Sequence, residues 1–198
     1  DCLLSRGLGD VYKRQEKDEV IVKEKNGIKY GLLAYTTLTN GLTMPKDKRF
    51  YLNVYSDALA KKDIEALRDK VDVLIVSMHW GIEYSHGVSP EQKTIAKYLS
   101  SLGVDIIIGT HPHVVEPIEY INNTLVIYSL GNFVSSQIGN EKLTGLVAAV
   151  DITKTTIDGK SVVKLSNTKA DLVYTCKPNT CGKGKYKVYP VSYTHLRA

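Results

Sequence analysis

No apolar run in the 198 residues approaches the roughly 18 that a membrane-spanning helix needs, so the chain as given contains no such helix. No signal-peptide pattern is visible either. The chain also lacks an arginine-rich stripe. Its formal charge is +5, but the 26 basic residues are scattered among 21 acidic ones, which argues against a nucleic-acid interface built on charge. Phenylalanine and tryptophan number only two and one, whereas 13 tyrosines supply amphipathic aromatic surface suited to polar ligands. Cysteine is sparse. Cys176 and Cys181, in "TCKPNTCGKGK", have no histidine near them and make a poor zinc site. Their spacing permits a small disulfide, with a pair of free thiols as the alternative. Internal repeats, low-complexity tracts and linkers are absent.

The two ends read as foreign. "CLLSRGLGDVYKRQ" at 2–15 and "VSYTHLRA" at 191–198 resemble sequencing-adapter DNA translated in frame. Residues 1–15 and 191–198 are therefore set aside as non-native flanks, and the native gene is expected to continue in both directions. Without Asp1, Asp10, Arg6, Lys13, Arg14 and Arg197 the net charge of 16–190 is +3.

Within 16–190 the hydrophobic pattern changes character part-way along. "GIKYGLLAYTTLTNG" (27–41) reads as a strand followed by a polar turn. Residues 57–69 read as a helix with Ala60, Ile64 and Leu67 on one stripe. "VDVLIV" (71–76) is a continuous apolar run, typical of a strand buried on both faces. "SPEQ" (89–92) offers Ser89 as N-cap, Pro90 at the first helical position and Gln92 to close a capping box. Ile95, Tyr98, Leu99 and Leu102 form one helical face, and Gly103 ends the helix. "VDIII" (104–108) is a second buried strand, so that strand, helix and strand form a parallel crossover unit. Beyond residue 117, hairpins are predicted to turn at Asn122–Asn123 and Asp158–Gly159. A parallel α/β front half and an antiparallel back half favour one mixed sandwich.

Three histidines stand just past these strands: His79 after the first, His111 and His113 after the second. Ligands of open α/β sheets gather at the carboxyl ends of strands. Neutral imidazole is the commonest protein metal ligand, and three of them leave coordination positions open. Pro112 stiffens the backbone between two of the three. Glu83, four residues after His79, is a candidate further ligand or general acid/base. An H-x-H pair on a loop is by itself ordinary polar surface; the repetition at equivalent strand ends is what points to a metal.

"MHWGIEY", "GVDIIIGTHPHVVEPIEY" and "VIYSLGNFV" together resemble the bacterial capsule-synthesis CapA family, which is associated with poly-γ-glutamate capsules and is similar to calcineurin-like metallophosphoesterases. The resemblance implies an α/β/β/α sandwich carrying a divalent, dinuclear metal centre of Mn, Fe or Zn. His79, His111 and His113 would be ligands, and Asn132 of "SLGNF" would shape the site, with Ser129 and Gly131 holding its turn. A simple turn residue is the other account of Asn132. Trp80 and Tyr84 either line a groove or pack in core or surface. Two departures stand out. Thr110 separates Gly109 from His111, where the phosphoesterase signature runs Gly-His-x-His. The Gly-Asp and Asn-His that complete the family's metal shell are missing from 16–190, and Gly9–Asp10 is declined as a ligand because it lies in the flank. The expectation is a C-terminal fragment with an incomplete site.

Two functions follow from the resemblance. One is metal-assisted hydrolysis or transfer on an anionic polymer or phosphoester, with His79 or Glu83 carrying the proton. The other is a non-catalytic surface protein that binds, exports or anchors poly-γ-glutamate. Either would act at the cell surface with other capsule-synthesis membrane proteins, held there by an N-terminal anchor outside this chain.

Overall fold

A computed structural model describes residues 22–41, 52–158, 160–178, 180 and 184–192. The flank 1–15, Cys181 and residues 193–198 lie outside the described residues. Among the described residues nine strands and three helices follow in the order β1 (Val22–Lys25), β2 (Ile28–Thr36), α1 (Asp57–Arg68), β3 (Val73–His79), α2 (Pro90–Ser101), β4 (Ile106–Thr110), β5 (Ile118–Ile121), β6 (Thr124–Ile127), α3 (Asn140–Leu143), β7 (Thr144–Ile157), β8 (Lys160–Cys176) and β9 (Lys187–Pro190).

The first six strands form one sheet in the order β1-β2-β3-β4-β6-β5, and the last three a second sheet, β7-β8-β9. Strands β2, β3, β4 and β6 are mutually parallel, while the edge strands β1 and β5 pair antiparallel through hairpins. The class is α/β, as the sequence pattern indicated. The described residues supply three layers: helices, mixed sheet and antiparallel sheet.

Each layer follows from its residue pattern. Ala60, Ile64 and Leu67 of α1 and Ile95, Ala96 and Leu99 of α2 bury against Leu74, Val76, Met78, Ile107 and Val126 on one sheet face. On the opposite face Val73, Ile106, Leu125 and Ile127 meet the inner side of the second sheet through Val150, Ile152, Val163 and Leu165. Central strands apolar on both faces are the consequence. Ser89 caps α2: its hydroxyl accepts from Gln92 N–H, and the Gln92 side chain returns a bond to Ser89 N–H. Gly103 takes φ +85° just beyond the helix. The hairpin of β5 and β6 turns at Asn122 (φ +52°) and that of β7 and β8 at Asp158 (φ +50°).

Strands β3 and β4 begin two residues later than their apolar runs, because Asp72 and Asp105 act at the strand starts. Asp105 Oδ2 accepts from Leu74 N–H (2.7 Å) and from Arg68 (2.6 Å), while Asp72 Oδ2 accepts from Lys29 N–H and Lys154 Nζ (each 2.8 Å). Arg68 also donates to the carbonyls of Gly103, Val71 and Asp72, so one guanidinium ties the end of α1 to the starts of β3 and β4. Lys154, on β7, ties the second sheet to the first. Cys176, at the end of β8, is disulfide-bonded.

Replacing Arg68 with Met keeps the packing stem but removes these donors. It is expected to lower unfolding stability by about 2 kcal/mol in urea melts, the sum of several modest hydrogen bonds. The bonds from Lys154 and Lys29 hold the Asp72 carboxyl below its ordinary value. A depressed folded-state pKa means that the unfolded chain takes up the proton first. The Lys154 contact therefore stabilises at neutral pH, and its contribution is lost as pH falls below about 4. Asp72→Asn should melt below the parent at pH 7, and the gap should narrow progressively as the pH is lowered through the acid range. A constant gap would show that the charge is immaterial.

Candidate metal centre

Parallel pairing places the ends of the central strands side by side. Thr36 is opposite His79, and His79 is opposite Thr110, the residue before His111. Strand β6 runs parallel to β4 and leads through Tyr128 and Ser129 to Asn132. Four adjacent strands thus deliver Thr36, His79, His111 with His113, and Asn132 to one edge of the sheet.

The histidines predicted from the sequence do come together. The ring centroids of His79 and His111 are 4.5 Å apart, and those of His111 and His113 6.2 Å. His111 is buried, and its Nδ1 has no hydrogen-bond partner. His79 Nδ1 lies 3.0 Å from Thr36 Oγ1, and His113 Nδ1 lies 2.9 Å from Asn132 Oδ1. The backbone departs from ordinary geometry here: φ is +101° at His111, +60° at His113 and +63° at Tyr84. Conformations of this kind cost roughly 1–3 kcal/mol each and persist where surrounding structure holds them. The holding contacts are visible. Trp80 N–H donates to Thr110 O, Thr37 N–H to His79 O, and Tyr84 N–H to Pro112 O.

Burial lowers the His79 pKa to about 4, helped by the neighbouring His111 and His113 and opposed by Glu83. Burial also lowers that of His111, again against Glu83. Both are therefore neutral at pH 7, the state in which imidazole has a lone pair to give. Glu83 lies exposed in the turn after β3, near enough for its charge to act on both rings. Among the described residues no three His, Cys, Asp or Glu side chains stand close enough to enclose an ion as placed. What fits a borderline divalent cation is narrower: two adjoining neutral imidazoles, one with an unpartnered buried nitrogen, and a third ring on the same loop.

The structure also gives the surroundings of the neighbouring residues. Trp80 is core: fully buried, stacked on Tyr128, with Nε1–H donating to Tyr128 O. Tyr84 is half exposed, stacks over His113 with centroids 6.0 Å apart, and carries Lys142 Nζ 4.6 Å above its ring. Asn132 makes bonds that a simple turn does not require. Its Nδ2, with two hydrogens to give, lies within hydrogen-bond distance of His113 O, Ser135 Oγ, Gln137 Oε1 and Lys142 O, and Ser129 Oγ accepts from Gly131 N–H in the same turn.

Thr36 was not singled out from the sequence, although it ends a strand beside β3 and the rule that pointed to the histidines covers it equally. Gln92 and Glu116 were also missed as a pair. The buried Gln92 amide donates to Glu116 Oε2 (2.7 Å), so the cap of α2 also holds the histidine loop.

The model of the bacterial capsule synthesis protein family PGA_cap matches residues 6–137, a stretch that holds every residue of this edge. The chain belongs to the PGA_cap family. The match begins inside the flank set aside as adapter-like. The chain is 34% identical over 131 residues to the PGA biosynthesis protein CapA of Bacillus subtilis (strain 168), covering 61% of this chain and 32% of that protein. To the capsule biosynthesis protein CapA of Bacillus anthracis it is 33% identical over 135 residues, 66% of this chain and 32% of the relative. A probable polyglutamine synthesis accessory protein of Mycobacterium tuberculosis is 32% identical over 68 residues, 34% of this chain and 18% of that one. The chain thus spans about a third of the length of the Bacillus relatives it matches.

In this PGA_cap chain the position of Thr110 between Gly109 and His111 has a physical basis. A Cβ on Gly109 would collide with the Tyr128 carbonyl and the indole of Trp80. Gly109 is thus spent on letting β6 and Trp80 approach, and Thr110 follows as the last strand residue, its hydroxyl donating to Met78 O. Gly109→Ala is expected to cost at least about 2 kcal/mol, an overpacking penalty, read as a lowered midpoint in denaturant unfolding. A wild-type midpoint would mean that the contact between the two strands is loose.

Proposed function

We propose that this PGA_cap chain is part of a capsule-biosynthesis protein acting on poly-γ-glutamate, and that His79, His111 and His113 hold a divalent metal ion, Mn, Fe or Zn. The observation that carries the metal reading is the contact between His79 and His111, whose rings meet at 4.5 Å while the buried Nδ1 of His111 lacks a partner. The polymer is proposed from the relatives, two of which are named for PGA or capsule biosynthesis.

A divalent ion bound here would acidify water and polarise a phosphoryl or carbonyl oxygen. The chain's own residues supply the rest. Burial keeps His79 and His111 neutral. Glu83, exposed beside them, is positioned to take up or deliver a proton at the solvent side. Lys142 places a cation over the ring of Tyr84, which itself stacks on His113, and a cation there suits an anionic substrate. Completion of a two-metal shell requires ligands beyond these three histidines. The site acts at the extracytoplasmic face, alongside the other capsule-synthesis membrane proteins.

The alternative is a non-catalytic role in binding, exporting or anchoring the polymer, favoured by the failure of the described side chains to enclose an ion as placed. Calorimetric titration of Zn(II) and Mn(II) into the chain tests the metal. Binding is expected, weakened at least tenfold in His111→Ala and in His113→Ala; a parent chain that binds neither ion ends the metal reading. Making the corresponding substitutions in a full-length capsule-forming relative separates the two functions. Capsule loss is expected, whereas capsule that persists after metal is lost favours the binding role.

A further inference from the structure

Two side chains outside the histidine set determine which nitrogen each of two rings exposes. Thr36 Oγ1 has one proton to give, and its nearest acceptor is Leu38 O at 2.5 Å. The same oxygen accepts from Leu38 N–H at 3.3 Å. With its proton committed to Leu38 O, Oγ1 meets His79 Nδ1 at 3.0 Å as an acceptor, so Nδ1 carries the hydrogen.

The Asn132 amide is fixed by its surroundings in the same way. Nδ2 faces four oxygens, those of His113 O, Ser135 Oγ, Gln137 Oε1 and Lys142 O, at 3.0–3.4 Å. Turning the amide over would set Oδ1 against two backbone carbonyls and an amide oxygen, none of which can donate. Oδ1 therefore faces His113 Nδ1 at 2.9 Å, and there too Nδ1 must be the donor. His111 has no such companion at Nδ1.

We propose that Thr36 and Asn132 are positioning residues that lock His79 and His113 as Nδ1–H tautomers, leaving Nε2 of each ring as the nitrogen offered to a ligand. Its metal consequence rests on the reading above, but the tautomers do not. Hydrogen bonds to the far nitrogen of a ligating imidazole orient the ring and raise its basicity, and losing one typically weakens metal binding roughly 10–100-fold. Asn132 then touches neither substrate nor reacting atom; it acts through His113. The asymmetry with His111 has a meaning as well. Two rings are pre-set by the protein before any ligand arrives, and the third is left to be set by the ligand itself.

The test is long-range ¹H–¹⁵N NMR on the 198-residue chain held metal-free with chelator, where protonated and bare imidazole nitrogens are well separated. Wild type is expected to show Nδ1–H at both His79 and His113. Thr36→Val should release His79 into a tautomer mixture while Thr36→Ser restores it. Asn132→Ala should do the same to His113, and Asn132→Asp, which keeps an acceptor, should retain Nδ1–H even where its lost donors loosen the turn. Co(II) titrated alone and followed by visible absorption should bind 10–100-fold more weakly to the Val and Ala variants, with Ser near wild type. An Nε2–H tautomer at either ring in wild type overturns the assignment. So does a folded Thr36→Val chain with unchanged tautomer and Co(II) affinity. If wild type shows both Nδ1–H tautomers yet binds no Co(II), the metal reading fails while the positioning by Thr36 and Asn132 stands.

Discussion

The parallel register of β3 between β2 and β4 is the constraint on which the rest depends. With Thr36, His79 and Thr110 aligned across three strands, the side chains that leave the sheet immediately afterward arrive at one place. A slip of one residue would turn His79 to the opposite face and move Trp80 out of its buried stack. The register is secured at the far end, where Arg68 and Asp105 bind the starts of β3 and β4, and again through Asp72, Lys29 and Lys154. The site is therefore held from the edge opposite to it. The ion pairs of Arg68 with Asp105 and of Lys154 with Asp72 both sit at the amino edge, away from the histidines.

Much of this was legible in the chain. Continuous apolar runs gave β3 and β4, and Ser89, Pro90, Gln92 and Gly103 marked both ends of α2, because capping and left-handed stops are local chemistry written in adjacent residues. The hairpin turns at Asn122 and Asp158 were local in the same sense. The meeting of the histidines was also inferable, since the crossover rule converts strand order into proximity. What escaped were contacts between residues distant in sequence. Thr36 and His79 are 43 positions apart, and Gln92 and Glu116 are 24 apart. Nothing in the amino-acid pattern near Thr36 distinguishes it from any other strand-end threonine. The strand β1 lay next to the flank and carries only four exposed residues, so no burial pattern revealed it.

Among the described residues, local rules and the fold disagree most around the histidine edge, where Thr37 Oγ1 is also buried without a partner. His111, His113 and Tyr84 occupy left-handed backbone where L side chains are disfavoured, His111 leaves a buried nitrogen unpartnered, and Glu116 is buried with Oε1 likewise unpartnered. Elsewhere the positive φ angles fall on Gly or on Asn and Asp, which tolerate them in turns. A sequence that is locally consistent except around three histidines has accepted instability there, and such exceptions gather where a protein does its work.

The pairing of Trp80 with Tyr128 has a practical side. Trp80 is the chain's single tryptophan, it adjoins His79, and its ring is sealed from water. The molecule thus contains its own optical reporter. Excited at wavelengths that the 13 tyrosines do not absorb, it emits from one indole next to the histidine edge, without background from a second. Whatever binds or quenches at that edge can be followed by light alone, on unlabelled material.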